Sequence, residues 1–221
     1  MSVSSHRILY VDDHLLAVDK LSGELVVRGS GEVGKLPLYD FLRKDHPGLR
    51  VLHRLDFETS GVVLFARTKA AYETVITSKF LSWVKTYRAL VMGQVSRSSG
   101  MITVPLPSRG KGEVRAVTRY RVLERFANSS VVEATIETGR HHQIRRHFAS
   151  IGHPLALDDL YGNRKFNRLF THELHYRHFF LHAQKMQLPH PVTGTPLTIE
   201  APLPKTFEEV VEKLRGLAGR R

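Results

Sequence analysis

The sequence predicts an α+β fold built on a largely antiparallel, mixed β-sheet flanked by helices and loops. Short apolar runs of strand length recur at residues 15–18, 61–66, 130–136 and 181–188, in succession rather than in strict alternation with helices. Turn signals such as His46-Pro47-Gly48 and Pro189-His190-Pro191-Val192-Thr193-Gly194 separate the runs. With 221 residues, 42% of them hydrophobic, the chain can bury a sizeable core, and no internal repeat divides it. The simplest reading is one domain over residues 1–221.

The elements follow in order. Residues 8–11 and 15–18 read as strands joined by the acidic turn Asp12-Asp13, and residues 25–27 as a third strand. A glycine-rich loop, 28–34, precedes a short helix at 38–44, which His46-Pro47-Gly48 stops. Strands begin at Val51 and Gly61, and Thr68 has the chemistry of an N-cap for a helix running to about Phe80. Residues 87–91 read as strand, 96–112 as a mobile loop around a short strand, and 114–122 with 130–136 as paired strands. The spacing of Ile144, Phe148 and Ile151 predicts a helix over 140–151, with Arg145 on the flank of the buried face and Arg146 turned toward solvent. Strands 181–188 and 196–200 flank the last turn, and Thr206 is placed to cap a closing amphipathic helix to about Leu217.

Composition narrows the function. Lysine and arginine number 33 against 21 acidic residues, a formal charge of +12 before any of the 13 histidines is protonated, so the expected partner is a polyanion. The absence of cysteine excludes disulfides and thiolate nucleophiles and suits a reducing compartment such as the cytoplasm. No run approaches the roughly 18 apolar residues of a membrane span, and the first residues lack the apolar stretch of a leader.

Several segments carry candidate chemistry. Gly29-Ser30-Gly31-Glu32-Val33-Gly34 matches the dinucleotide-binding pattern, but the chain does not continue in alternating βα units, and a turn is the better reading. In His53-Arg54-Leu55-Asp56-Phe57-Glu58-Thr59-Ser60-Gly61, Asp56 stands among cations and hydroxyls that can hold a carboxylate ionised and oriented. An ordinary Asx turn explains the same residues, and Glu58 invites a paired-carboxylate glycosidase. In the stretch 137–147, Arg140, His141 and His142 gather at a helix start, against the dipole, which makes sense if phosphate docks there; a solvated basic face is the plain alternative. His172, His175, His178 and His182 imitate a metal cluster. Without a carboxylate ligand set, and with Arg164, Lys165, Arg168, Arg177, Tyr161, Phe166 and Tyr176 among them, they fit a phosphate- and base-contacting surface better.

On these residues the sequence resembles the RluA-type RNA pseudouridine synthases. Residues 10–23 are similar to the family's opening segment, 53–61 to its aspartate signature, Lys85-Thr86-Tyr87-Arg88-Ala89 to its lysine-x-tyrosine-x-alanine strand, and 138–145 to its basic-helix motif. Leu181-His182-Ala183 and His190-Pro191 complete the order. Asp19, Leu21 and Leu157 depart from the Asn, Pro and Gly common at those places. No separate S4-type module fits before Tyr10, so the likeness is to single-domain members.

The resemblance implies cofactor-free and metal-free isomerisation: the N-glycosidic bond of an RNA uridine breaks, the base turns over, and C5 joins ribose C1′. It implies Asp56 as the catalytic carboxylate, Tyr87 stacked on the base, Arg145 paired with Asp56, and Leu181 closing the pocket. His53, Arg54, Thr59, Arg140, His141 and Gln143 are then substrate-binding. The expected substrate is structured RNA, with transfer RNA favoured slightly over ribosomal RNA; the target base must be extruded from its stack. The expected setting is a cytoplasmic monomer away from membranes. A non-enzymatic RNA-binding or ribosome-assembly protein is the alternative the charge supports equally, and a base-excising glycosylase is a third.

Overall fold

The structure is a computed structural model and describes residues 3–28, 36–80, 82–108 and 110–218. Along the chain run β1 (Ile8–Val11), β2 (Leu15–Lys20), α1 (Leu38–Asp45), β3 (Arg50–Val51), β4 (Ser60–Ala66) and α2 (Lys69–Thr77). Then follow β5 (Val84–Met92), β6 (Ser99–Ile102), β7 (Leu106–Pro107), β8 (Glu113–Val114), β9 (Thr118–Arg125) and β10 (Ser129–Ile136). Helices α3 (Gln143–Ser150) and α4 (Arg164–Arg168), strands β11 (Leu181–Pro189) and β12 (Pro196–Glu200), and helix α5 (Lys205–Ala218) complete it. The chain divides into two compact units, Met1–Lys85 with Ala183–Pro202 and Thr86–His182 with Leu203–Arg221.

In the first unit the strand order is β1-β2-β4-β11, with β3 on β4 and β12 on β11. β1 with β2, β2 with β4, β3 with β4, and β11 with β12 all pair antiparallel, as the α+β reading expects. Every residue of β4 is buried, which identifies it as a central strand and explains its unbroken apolar run. Leu15, Ala17, Val62, Leu64, Trp83 and Met186 belong to one core cluster. Thr68 caps α2 as expected, its hydroxyl oxygen accepting from the Ala71 N–H at 3.2 Å. The turns at the two ends of this unit's sequence are tied together: Asp12 Oδ2 lies 2.9 Å from His190 Nε2 and accepts the Tyr10 hydroxyl at 2.5 Å. That gives the His190-Pro191 motif a structural purpose.

In the second unit the order is β5-β10-β9-β6, with β7 and β8 a separate antiparallel pair. β9 pairs antiparallel with β10 and with β6. Phe207, Val210 and Leu214 present the buried side of α5, and Arg215 grips Glu124 of β9 through two N–H groups at 2.8 and 2.7 Å.

Several elements differ from the sequence reading. Residues 25–27 form no strand: the Leu25 and Val26 carbonyls accept the Leu38 and Tyr39 N–H groups at 2.8 and 3.0 Å and so cap α1. The stretch 96–112 holds two short strands where one was expected, β6, which pairs with β9, and β7, which pairs with β8. α2 ends at Thr77, before Lys79 and Phe80, whose φ angles are 51° and 61°. α5 starts at Lys205, so Thr206 lies inside it, and the Pro204 carbonyl takes the Phe207 and Glu208 N–H groups. Residues 164–173, given no element from the sequence, are helical, with a π-helical turn at Leu169–Glu173. The G-x-G-x-x-G stretch lies outside the described residues.

Candidate active site

Asp56 sits half-buried in the irregular segment between β3 and β4, anchored by the buried side chains of Leu52 and Leu55. Its carbonyl accepts the Thr59 N–H at 3.1 Å, closing a tight turn. The next carbonyl, Phe57, accepts the Gly23 N–H at 2.9 Å and the Lys20 ammonium at 2.9 Å. Lys20 is fully buried, and its Nζ also donates to the carbonyls of Leu21 and Glu24 at 2.9 and 2.7 Å. Burial pushes its pKa down to about 8, while the negative charges of Glu24 and Asp56 work to keep its proton. The opening segment thus braces the aspartate turn with a buried cation.

The other residues of this signature divide between packing and exposure. His53 Nε2 accepts the Leu64 N–H at 3.1 Å, and its ring stands edge-on to Trp83. Burial, then the Lys85 charge, pushes its pKa down to about 3, so it is a neutral prop for β4 and offers no cation to phosphate. Lys85 is itself buried against the Trp83 and Phe80 rings, with its pKa pushed down to about 8 by burial. Arg54 is exposed. The Thr59 hydroxyl is buried and has no hydrogen-bond partner among the described residues. Gly61 has a φ of 107°, and a Cβ there would stand 2.2 Å from the Ala183 carbonyl oxygen, so β4 and β11 pack as they do only with glycine.

Tyr87, Arg145 and Leu181 belong to the second unit and are all buried. α3 begins at Gln143, not at Arg140, because His142 adopts the left-handed conformation with a φ of 54° and turns the chain into the helix. Arg140 and His141 therefore precede the helix and are exposed, as a nucleic-acid contact requires. Gln143 pins this turn. Its Oε1 accepts the Thr138 hydroxyl at 2.8 Å and the Arg140 N–H at 3.1 Å, and its Nε2 donates to the Val117 carbonyl at 2.9 Å. Ile144 and Phe148 face the core as expected, whereas Ile151 ends the helix and is exposed.

Arg145 points inward. Its Nε and Nη2 donate to the two oxygens of Asp158 at 2.6 and 2.8 Å, and its guanidinium lies over the rings of Phe179 and Tyr161 at 4.6 and 5.2 Å. Burial pushes the Asp158 carboxyl up, but the Arg145 hydrogen bond and charge and the Tyr161 and Leu160 N–H groups outweigh it and hold it below the usual carboxylate range. Arg146 instead reaches Tyr161, its Nε 2.8 Å from the hydroxyl. Lys20 and Asp158 escaped the sequence reading as site residues. A lysine ending β2 on the same face as Leu16 and Val18 was the available signal for the first, and an acidic residue one position after an atypical Leu157 for the second. Among the described residues no group of three or more His, Asp or Glu side chains is placed to hold a metal.

Comparison with known proteins resolves the class. Residues 14–150 match the RNA pseudouridylate synthase family. The chain is 38% identical to ribosomal large subunit pseudouridine synthase C of Vibrio vulnificus (strain CMCP6), over 94% of this chain and 69% of the relative. It is also 38% identical to the protein of that name from Escherichia coli (strain K12), over 95% and 70%. Among solved structures it is similar to human RNA pseudouridylate synthase domain containing 4, with a TM-score of 0.79 and 26% identity over 96% of this chain and 94% of that one. Human RNA pseudouridylate synthase domain containing 1 gives 0.72 and 25% over 97% and 98%. The fold and the ordered motifs are those of an RNA-modifying isomerase. The chain belongs to the RNA pseudouridylate synthase family, and its activity is the isomerisation of uridine in RNA, which replaces the non-enzymatic and glycosylase readings.

Proposed function

We propose that the chain converts uridines of large-subunit ribosomal RNA to pseudouridine, with Asp56 as the catalytic carboxylate. The observation that carries the substrate is the 38% identity, over nearly the whole chain, to relatives named for the ribosomal large subunit. Those names give no support to the preference for transfer RNA drawn from the sequence.

The chemistry follows from the side chains. An ionised Asp56 assists cleavage of the N1–C1′ bond. The base rotates, C5 bonds to C1′, the C5 hydrogen leaves as a proton and the freed N1 takes one up, so the product has the mass of the reactant. Tyr87 stacks on the extruded base, Leu181 covers it, and Arg145 stabilises the carboxylate charge. A guanidinium carries five N–H donors, and two groups of the Arg145 fork engage Asp158. Exposed Arg54, Arg140 and His141 contact phosphates, and the Thr59 hydroxyl meets the substrate. Gln143 and His53 hold the turns that present these groups. The chain acts as one catalytic domain, as a monomer in the cytoplasm. Among the described residues no helix is long and apolar enough to cross a membrane.

The test supplies purified protein with unmodified transcripts of large-subunit ribosomal RNA and of transfer RNAs, and maps pseudouridine in each. Modification at defined ribosomal positions is expected. Modification of transfer RNA with untouched ribosomal RNA would overturn the substrate assignment.

A further inference from the structure

We infer that Asp158 is a positioning residue for Arg145, fixing the plane and direction of the guanidinium during isomerisation, and that Asn167 locks Asp158 in place. The inference rests on the assignment of Arg145 to the active site.

This fully buried carboxylate accepts four hydrogen bonds. Oδ2 takes Arg145 Nε at 2.6 Å, and Oδ1 takes Arg145 Nη2 at 2.8 Å and the Leu160 and Tyr161 N–H groups at 3.0 Å each. Two in-plane bonds set the direction of the fork, and the Phe179 and Tyr161 rings set its plane, so the side chain has one orientation. The carboxylate is itself held from behind. Asn167 Oδ1 accepts the Leu157 N–H at 2.9 Å, and its Nδ2 reaches the Asp158 carbonyl at 3.5 Å. Leu157 stands at a φ of 65°, a conformation an L-residue adopts only where its surroundings enforce it. A strained backbone, a buried amide clamp and a bidentate pair converging on one guanidinium exceed what neutralising a charge requires.

The experiment measures single-turnover rate and RNA affinity for wild type, Asp158→Asn, Asp158→Glu, Asn167→Ala, Arg145→Ala and Asp56→Asn, at a temperature where circular dichroism shows each to be folded. Asp158→Asn keeps the size and an acceptor for the two backbone N–H groups. Its maximal rate is expected to fall about 100-fold, the scale of a misplaced catalytic group, with RNA affinity within threefold of wild type. Asp158→Glu recovers at least a tenth of the lost rate, and Asn167→Ala falls about tenfold. A purely structural role lowers the melting temperature and leaves the rate of the folded protein alone. Rates within threefold of wild type for Asp158→Asn, or for Asn167→Ala if Asp158→Asn does not fold, overturn the inference while an inactive Arg145→Ala leaves the active-site reading standing. An active Arg145→Ala overturns that reading as well.

Discussion

The ammonium of Lys20 lies 2.9 Å from the carbonyl oxygen of Phe57, 37 residues further along the chain and next to Asp56. With the Leu21 and Glu24 carbonyls, that of Phe57 completes a three-acceptor cage for the buried ammonium, which ties the aspartate turn to the end of β2. Replacing Lys20 by Met fills the space but strands carbonyls without a donor. The expected loss is about 2–4 kcal/mol of stability, together with a fall in turnover larger than any fall in RNA affinity. Urea unfolding and single-turnover assays at saturating RNA measure the two; an Asp56 turn that works unchanged in Lys20→Met would show that the brace has no bearing on the reaction.

His53 gives a pH prediction. Its pKa is pushed from 6.5 to about 3 in the folded chain by burial and by Lys85. Between those values the unfolded chain binds a proton the folded chain refuses, so stability is constant above pH 6.5 and is lost as pH falls toward 3. His53→Gln, which can still accept the Leu64 N–H, lacks this term, so its melting temperature falls less than that of wild type over the same interval. A wild-type His53 ring resonance that titrates near pH 6.5 in NMR contradicts the assignment.

Leu157 explains a departure from the family pattern. Glycine adopts its φ of 65° without penalty, but the leucine side chain is 3% exposed, and burying it stabilises by about 1.5–3 kcal/mol, which offsets strain of about 1–2 kcal/mol. Leu157→Gly and Leu157→Ala both lose the side chain, and only glycine relieves the strain. Thermal unfolding is therefore expected to find the glycine variant more stable than the alanine variant by about 1 kcal/mol; the reverse order shows that the backbone here is not strained.

Local pattern was enough for much of the fold. The apolar runs of β2, β4 and β10, the Thr68 cap and the glycine and proline stops record interactions between residues a few positions apart, and these stood in the sequence directly. What escaped it depends on distant partners. Leu25 and Val26 have strand composition, yet their carbonyls serve the first N–H groups of α1 instead of a ladder. His142 carries no mark of its left-handed turn, so the start of α3 reads three residues too early. Arg145 was legible as an inward cation from the helix period, but its partner Asp158, 13 residues on, was not. Lys20 reads as an ordinary charge at a strand end until the Phe57 carbonyl closes over it.

The most direct test is Asp56→Asn, which keeps the shape of the turn and removes the negative charge. With RNA carrying tritium at uridine C5, bond formation from C5 to C1′ releases the label to water, so the reaction is counted atom by atom. The expected rate is below about one thousandth of wild type, with RNA binding and melting temperature nearly unchanged. Tritium release by Asp56→Asn at a rate comparable to wild type would contradict the account.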